Sequence, residues 1–212
     1  MQKNEEQSQA YLELDHPRQP EAQHLYTKKG LFRFPFSRTV KNFIDLRNIN
    51  AELRVTNWSF SPYRVKMIMA EMSAWKQNYL PLDLSGLTVL DVGAGEGETA
   101  KFFLDHGAAK IICIESSRDA YQQLARNSVA HPKVSAIHKR FSLSDLCLSH
   151  DFLKCDIEGY EEELLEVKLS FPAVVEVHGL QLRDKFKRAG WRIANHDNIN
   201  DCGCTCYAYW LC

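Results

Sequence analysis

The stretch that most constrains this chain is LTVLDVGAGEGETA, residues 87 to 100. An apolar, β-branched run stops abruptly at three glycines in five positions, Gly93, Gly95 and Gly97, and helix-forming residues follow. Such a pattern reads as a buried strand, a tight turn and a helix start. Gly93 permits the turn, Gly95 lets backbone come close to a ligand, and Gly97 packs the new helix against the strand. The free amides at that helix start are ready to receive polar ligand atoms.

The same alternation continues downstream. GETAKFFLDHG is a short helix closed by Gly107, AKIICIE a second strand, and SSRDAYQQLARNSVAH a second helix capped by Ser116 or Ser117. VSAIHKRF, HDFLKCDIEG and PAVVEVHG read as further strands, with EEELLEVKL and LRDKFKRAG as helices among them. WRIANHD and CTCYAYWLC end the series as strands. Strands alternating with helices imply an α/β, Rossmann-like fold, its mostly parallel sheet covered on both faces. Residues 81–212 form that domain, and residues 1–80 an extension ending in a helix. In this helix, YRVKMIMAEMSAWKQNYL, Val65, Ile68, Met69 and Met72 recur at helical spacing behind Pro62. The first 25 or so residues read as mobile, and LFRFPFSRTVKNFIDL as a strand or loop broken by Pro35.

Composition narrows the classes. With 26 basic and 27 acidic residues the net charge is -1, which gives no overall pull toward a phosphate backbone. There is no apolar run of bilayer length and no secretory leader, so the expectation is a cytoplasmic chain without a membrane partner. Seven cysteines in 212 residues do not make a secreted disulfide scaffold. Four crowd the end: Cys202, Cys204, Cys206 and Cys212. They lack paired C-x-x-C knuckles, and small buried apolar cysteines in a strand are the favoured reading over zinc.

Two acids sit inside the glycine turn. Glu96 and Glu98 repel a dinucleotide pyrophosphate but welcome a nucleoside with a positive centre and an ammonium group. Asp91 can accept from that ammonium, directly or through water. Glu115 ends the second strand and can take both ribose hydroxyls. S-adenosyl-L-methionine is the ligand that best fits these features.

LDVGAGEGETA resembles the first motif of the class I S-adenosylmethionine-dependent methyltransferases. FSLSD, FLKCDIEGYEEELL and AVVEVHG, in that order, resemble segments of the FkbM-like methyltransferase family. The resemblance spans about residues 82 to 180. It implies a seven-stranded sheet with its last strand antiparallel, and methyl transfer, commonly to a hydroxyl of a small molecule or sugar. It places Ser144 and Asp145 near the adenine, and Asp156 and Glu158 in the active cleft. The candidate cofactor set is Asp91, Gly93, Ala94, Gly95, Glu96, Glu115, Ser116, Ser144 and Asp145.

Sulfonium methyl transfer needs alignment more than acid–base machinery. A hydroxyl acceptor needs a base, for which Asp156 is the better candidate, with Glu158 orienting. The competing reading makes both acids helix caps. Glu176 and His178 share one face of their strand; His178 is a candidate base, and Glu176, if buried, needs a partner. No spacing demands a metal. Arg33, Arg38, Lys41 and Arg47 interleave with Phe32, Phe34, Phe36 and Phe43, as in surfaces that stack bases. RNA methylation is therefore the second functional reading, and a cofactor-binding partner protein without turnover the third.

Overall fold

The computed structural model describes residues 56–194 and 205–211. The unit they belong to runs from Ala51 to Cys212. The first 25 or so residues, the basic–aromatic segment, Cys202, Cys204 and Cys212 lie outside the described residues.

Seven strands form one sheet. They are β1 (Thr88–Val92), β2 (Lys110–Glu115), β3 (Val134–His138), β4 (Phe152–Cys155), β5 (Ala173–His178), β6 (Arg192–Ala194) and β7 (Thr205–Trp210). Their spatial order is β3-β2-β1-β4-β5-β7-β6. β1 to β5 pair in parallel, while β7 lies antiparallel between β5 and β6. This is the mostly parallel, seven-stranded α/β architecture expected from the alternation.

Among the described residues four α-helices accompany the sheet: α1 (Pro62–Tyr79), α2 (Glu98–Asp105), α3 (Arg118–Ala130) and α4 (Leu180–Arg188). Ser61 caps α1, its hydroxyl accepting from the Arg64 amide, and Ser117 caps α3 by the same bond to Ala120. The two faces of the sheet bury separate cores. On one, Val89 and Ile111 meet Phe102 and Phe103 of α2 with Trp75 and Tyr79 of α1. On the other, Leu90, Val92 and Leu153 meet Leu182 and Phe186 of α4 with Trp191. Each fully buried aromatic of this kind contributes roughly 2–3 kcal/mol of apolar burial.

One element differs from expectation. EEELLEVKL is a short 3₁₀ segment, Glu161–Glu166, not an α-helix. Three consecutive like charges open it, and Pro172 disfavours helical backbone at Phe171 just before β5. FSLSD likewise forms a 3₁₀ turn, Leu143–Cys147, closed by a reciprocal Ser142–Asp145 capping box.

Candidate active site

The sheet reverses its winding between β1 and β4, and open α/β sheets bind ligands at the carboxyl ends of such neighbours. Here Gly93 follows β1 and Asp156 follows β4. Gly93 has φ +73°, and a Cβ on it would stand 1.7 Å from the Asp156 carbonyl oxygen. Only glycine allows these two strand ends to approach so closely. The turn is then pinned to β2, where the Gly93 and Ala94 amides both donate to the Ile114 carbonyl, at 2.9 and 3.2 Å.

Each acid of the turn has a specific task. Glu115 is buried, and its carboxylate accepts from the Gly95 amide at 2.9 Å and the Ser117 amide at 2.6 Å. It thus joins the glycine turn to the start of α3, with lone pairs left over for a ligand hydroxyl. Ser116 is exposed in the link between them, and its carbonyl meets the His138 ring at 3.2 Å. Asp91 is wholly buried. Thr99 donates to its Oδ2 at 2.6 Å, and Lys154 Nζ lies 3.2 Å from Oδ1.

Glu96 turns toward α1, and Glu98 bridges α1 and the turn. The Ser61 amide donates to the Glu96 carboxylate at 2.6 Å, and the Ser61 hydroxyl donates to it as well. Arg64 pairs with Glu98 at 2.7 Å. Glu98 also accepts from the Glu96 amide at 2.9 Å, and its carboxylate lies directly over Gly95. Burial raises its proton affinity, with pKa about 7, despite the opposing charge of Arg64. In the folded chain the charge of these two acids is therefore spent largely on docking α1, which weakens their repulsion of a pyrophosphate. The same seam is reinforced by Asn127, which donates to the Ser59 and Glu96 carbonyls at 2.9 and 2.8 Å.

Sequence reading missed two residues of the candidate site, Glu161, which meets His178 at 2.8 Å, and Lys154. Lys154 is 1% exposed, in the middle of β4. Its ammonium donates to the Gly93 carbonyl at 2.9 Å and stands 3.8 Å from Asp156. Burial alone would lower its pKa, but Asp91, Asp156 and Glu176 push it well above the ordinary lysine value. A lysine inside the apolar run FLKC is itself a signal, because a buried cation demands partners.

The candidate chemical residues gather beyond Lys154. His178 Nε2 lies 3.8 Å from Asp156 and 3.5 Å from Glu158. Its Nδ1 meets the wholly buried Glu161 at 2.8 Å. Burial would lower the His178 pKa, but the Glu161 hydrogen bond and the Asp156 charge raise it to about 9. Glu161 in turn is held below the usual carboxylate range: burial opposes this, and the His178 and Gly159 hydrogen bonds prevail. Glu158 adopts φ +53°, a left-handed conformation uncommon for a non-glycine residue. Glu176 has the partner its burial requires, since the Tyr79 hydroxyl of α1 donates to it at 2.6 Å. Burial and the Asp156 charge raise the Glu176 pKa.

Ser144 and Asp145 stand apart from this group, in the turn after β3. The Ser144 hydroxyl meets that of Ser142 at 2.9 Å, and Asp145 pairs with Lys139 at 2.6 Å. Asp156, Glu161 and His178 each offer a donor atom within 4.8 Å of the others. Among the described residues no helix is long and apolar enough to cross a membrane.

No family model matches the chain. Two curated proteins, both named histone-arginine methyltransferase CARMER, from Drosophila mojavensis and Drosophila virilis, are 33% identical to it over 103 residues. That match covers 46% of this chain and 19% of each relative, so the chain spans about a fifth of the relatives it resembles. Among solved structures, Aeropyrum pernix fibrillarin, in complex with natively bound S-adenosyl-L-methionine, superposes with a TM-score of 0.52 at 16% identity. It covers 66% of this chain and 74% of its own. A precorrin-6y C5,15-methyltransferase from Geobacter metallireducens GS-15 gives a TM-score of 0.50 at 15% identity, covering 66% and 89%. The chain has the Rossmann-like fold of the class I S-adenosylmethionine-dependent methyltransferases.

Proposed function

We propose that this chain is an S-adenosylmethionine-dependent methyltransferase, with cofactor in the crevice above the Gly93–Gly97 turn and acceptor beside Asp156. The observation that carries the reading is the near-contact of Gly93 with the Asp156 carbonyl. It sets a nucleoside-binding turn and an acid–imidazole cluster side by side at one switch point. The residues fit the cofactor: Glu115 faces the turn with acceptor capacity left for ribose hydroxyls, and Asp91 Oδ1, paired with Lys154 at 3.2 Å, keeps a further lone pair. Ala94, Ser116, Ser144 and Asp145 complete the proposed cofactor side. The likeness to the FkbM-like family in FLKCDIEGYEEELL supports the same division between cofactor and acceptor residues.

When bound, the cofactor supplies a sulfonium methyl group whose leaving group departs neutral. The protein's task is then alignment, with proton removal where the acceptor carries a proton. His178 is an imidazolium at neutral pH, so it orients and neutralises rather than accepts a proton. Proton acceptance falls to Asp156, which Lys154 and His178 hold from two sides. Glu158 and Glu176 flank it as hydrogen-bond acceptors for the incoming group.

The acceptor reading shifts from a small hydroxyl compound toward a macromolecule. The curated relatives, named for histone arginine, support that shift, while the fold-level likeness to a precorrin methyltransferase keeps small molecules in view. The acids of the cleft favour a hydrogen-bond donor over phosphate as the group entering it. The test is direct. The chain is titrated with S-adenosylmethionine and S-adenosylhomocysteine, then incubated with methyl-labelled cofactor and separate pools of protein, RNA and small metabolites. Micromolar-range binding and label in one pool support the reading. Binding of neither nucleoside overturns it, and binding without transfer to any pool leaves the partner-protein reading in its place.

A further inference from the structure

Glu98 places a carboxylate where the chain's own backbone and side chains have assembled a carboxylate site. Its oxygens accept the Glu96 amide at 2.9 Å and pair with Arg64 at 2.7 Å. They lie over Gly95 so closely that a Cβ there would stand 2.5 Å from Oε1. The cation comes from elsewhere in the chain: Arg64 sits one turn into α1, which Ser61 and Glu96 fasten to the glycine turn. Arg64 is not fully satisfied, because its Nε is buried without a hydrogen-bond partner among the described residues. A guanidinium offers a planar fork suited to two carboxylate oxygens, and here one arm of the fork has no bond.

We infer that Arg64 binds the carboxylate of the cofactor's amino-acid tail, and that Glu98 is an internal stand-in which occupies this position until the cofactor displaces it. This rests on the cofactor reading above and adds its missing cation: a zwitterionic tail needs a partner for each charge, and among the described residues the cations seen paired at the glycine turn are Arg64 and Lys154, the latter committed to Asp91 and the Gly93 carbonyl. The high proton affinity of Glu98 agrees with a carboxylate held in a site that burial makes costly for it. Displacement moves Glu98 toward solvent, where it is better hydrated, and passes Arg64 from one carboxylate to another.

The experiment uses calorimetric titration of the full chain with three ligands. S-adenosylhomocysteine carries the whole amino-acid tail. S-adenosyl-3-thiopropylamine lacks only the carboxylate, and 5′-methylthioadenosine lacks the entire tail. In the unmodified chain, loss of the carboxylate should weaken binding about 10- to 100-fold, as expected for charge-assisted hydrogen bonds. Arg64→Met should weaken S-adenosylhomocysteine by a similar factor while leaving the other two unchanged, and Arg64→Lys should restore part of the loss. Glu98→Gln should tighten S-adenosylhomocysteine several-fold, because the stand-in loses its charge. The inference is overturned if the unmodified chain binds the first two ligands equally, or if Arg64→Lys and Arg64→Met both keep full preference for the carboxylate. The comparison within the unmodified chain decides the matter even if Arg64→Met does not fold. A chain that binds 5′-methylthioadenosine but shows no carboxylate preference refutes this inference alone; one that binds none of the three removes the cofactor reading with it.

Discussion

Lys154 Nζ lies 3.2 Å from Asp91 Oδ1, with 1% of one side chain and none of the other exposed. The two residues face each other as register partners across the parallel β1–β4 pair. A single-sided deletion leaves the survivor charged, buried and unpaired. Lys154→Met should therefore destabilise the fold by about 3–5 kcal/mol, and Asp91→Asn by less, because an amide keeps the Thr99 bond. The double variant Asp91→Asn, Lys154→Met should recover part of the sum, since neither charge remains. Urea unfolding of the four proteins checks this, and simple additivity would mean that the two side chains do not act as a pair.

Gly93 and Gly159 both have positive φ, at 73° and 101°, yet they should respond differently to substitution. A Cβ at Gly93 runs into the Asp156 backbone, whereas at Gly159 it meets nothing within 4 Å. Gly159→Ala should cost only the backbone penalty, about 1–2 kcal/mol. Gly93→Ala must also push β1 and β4 apart at the switch point, and should cost clearly more while abolishing nucleoside binding. Thermal melts with and without S-adenosylhomocysteine separate the two effects.

These contrasts show what was legible in the sequence and what was not. LTVLDVGAGEGETA announces its strand, turn and helix because each step is local: apolar run, glycine spacing, helix formers. The seven strands and the antiparallel last one follow the family likeness of the residues downstream, whereas their spatial order was not read from the sequence. The partners across the fold are not local. Nothing in YRVKMIMAEMSAWKQNYL says that Arg64 meets Glu98 or that Tyr79 meets Glu176, because both contacts join residues far apart in the chain. Lys154 stood in plain view inside FLKC, but its register against Asp91 is a tertiary fact. The helix expected over EEELLEVKL is a 3₁₀ segment instead, and the bond that holds its first acid, Glu161, to His178 is likewise not local.

His178 makes stability depend on pH with a defined sign. Its folded pKa, about 9, exceeds its ordinary value of 6.5. Between these values the folded chain binds more protons than the unfolded one, so stability falls as pH rises. The contribution is fully present below pH 6.5 and gone above pH 9. With about a quarter of the side chain exposed, solvent screening limits it to the order of 1–2 kcal/mol. Glu98 follows the same sign at lower pH, losing its favourable contribution between its ordinary 4.5 and about 7. Comparing the unmodified chain with His178→Gln from pH 7 to pH 9 isolates the histidine. The variant should show the flatter curve, and parallel curves would mean that the imidazole gains nothing from Asp156, Glu158 and Glu161.

Asp156 offers the sharpest separation of chemistry from binding. Its carboxylate is 26% exposed, reached by Lys154 and His178 at 3.8 Å each, and its Oδ1 has no hydrogen-bond partner among the described residues. Its backbone carbonyl, by contrast, supports the glycine turn through its contact with Gly93. Asp156→Asn keeps that backbone and the side-chain volume but removes the charge. If Asp156 takes a proton from the acceptor, kcat should fall about 10²- to 10⁴-fold with the S-adenosylhomocysteine affinity changed less than threefold. The lost anion also leaves Lys154 and His178 with one counter-charge fewer, so the His178 pKa should drop, visible as an upfield change in its imidazole titration. Loss of nucleoside binding together with turnover would instead put the side chain on the cofactor side of the crevice. Unchanged kcat with a raised KM would make it an anchor for the acceptor, with proton removal left to solvent.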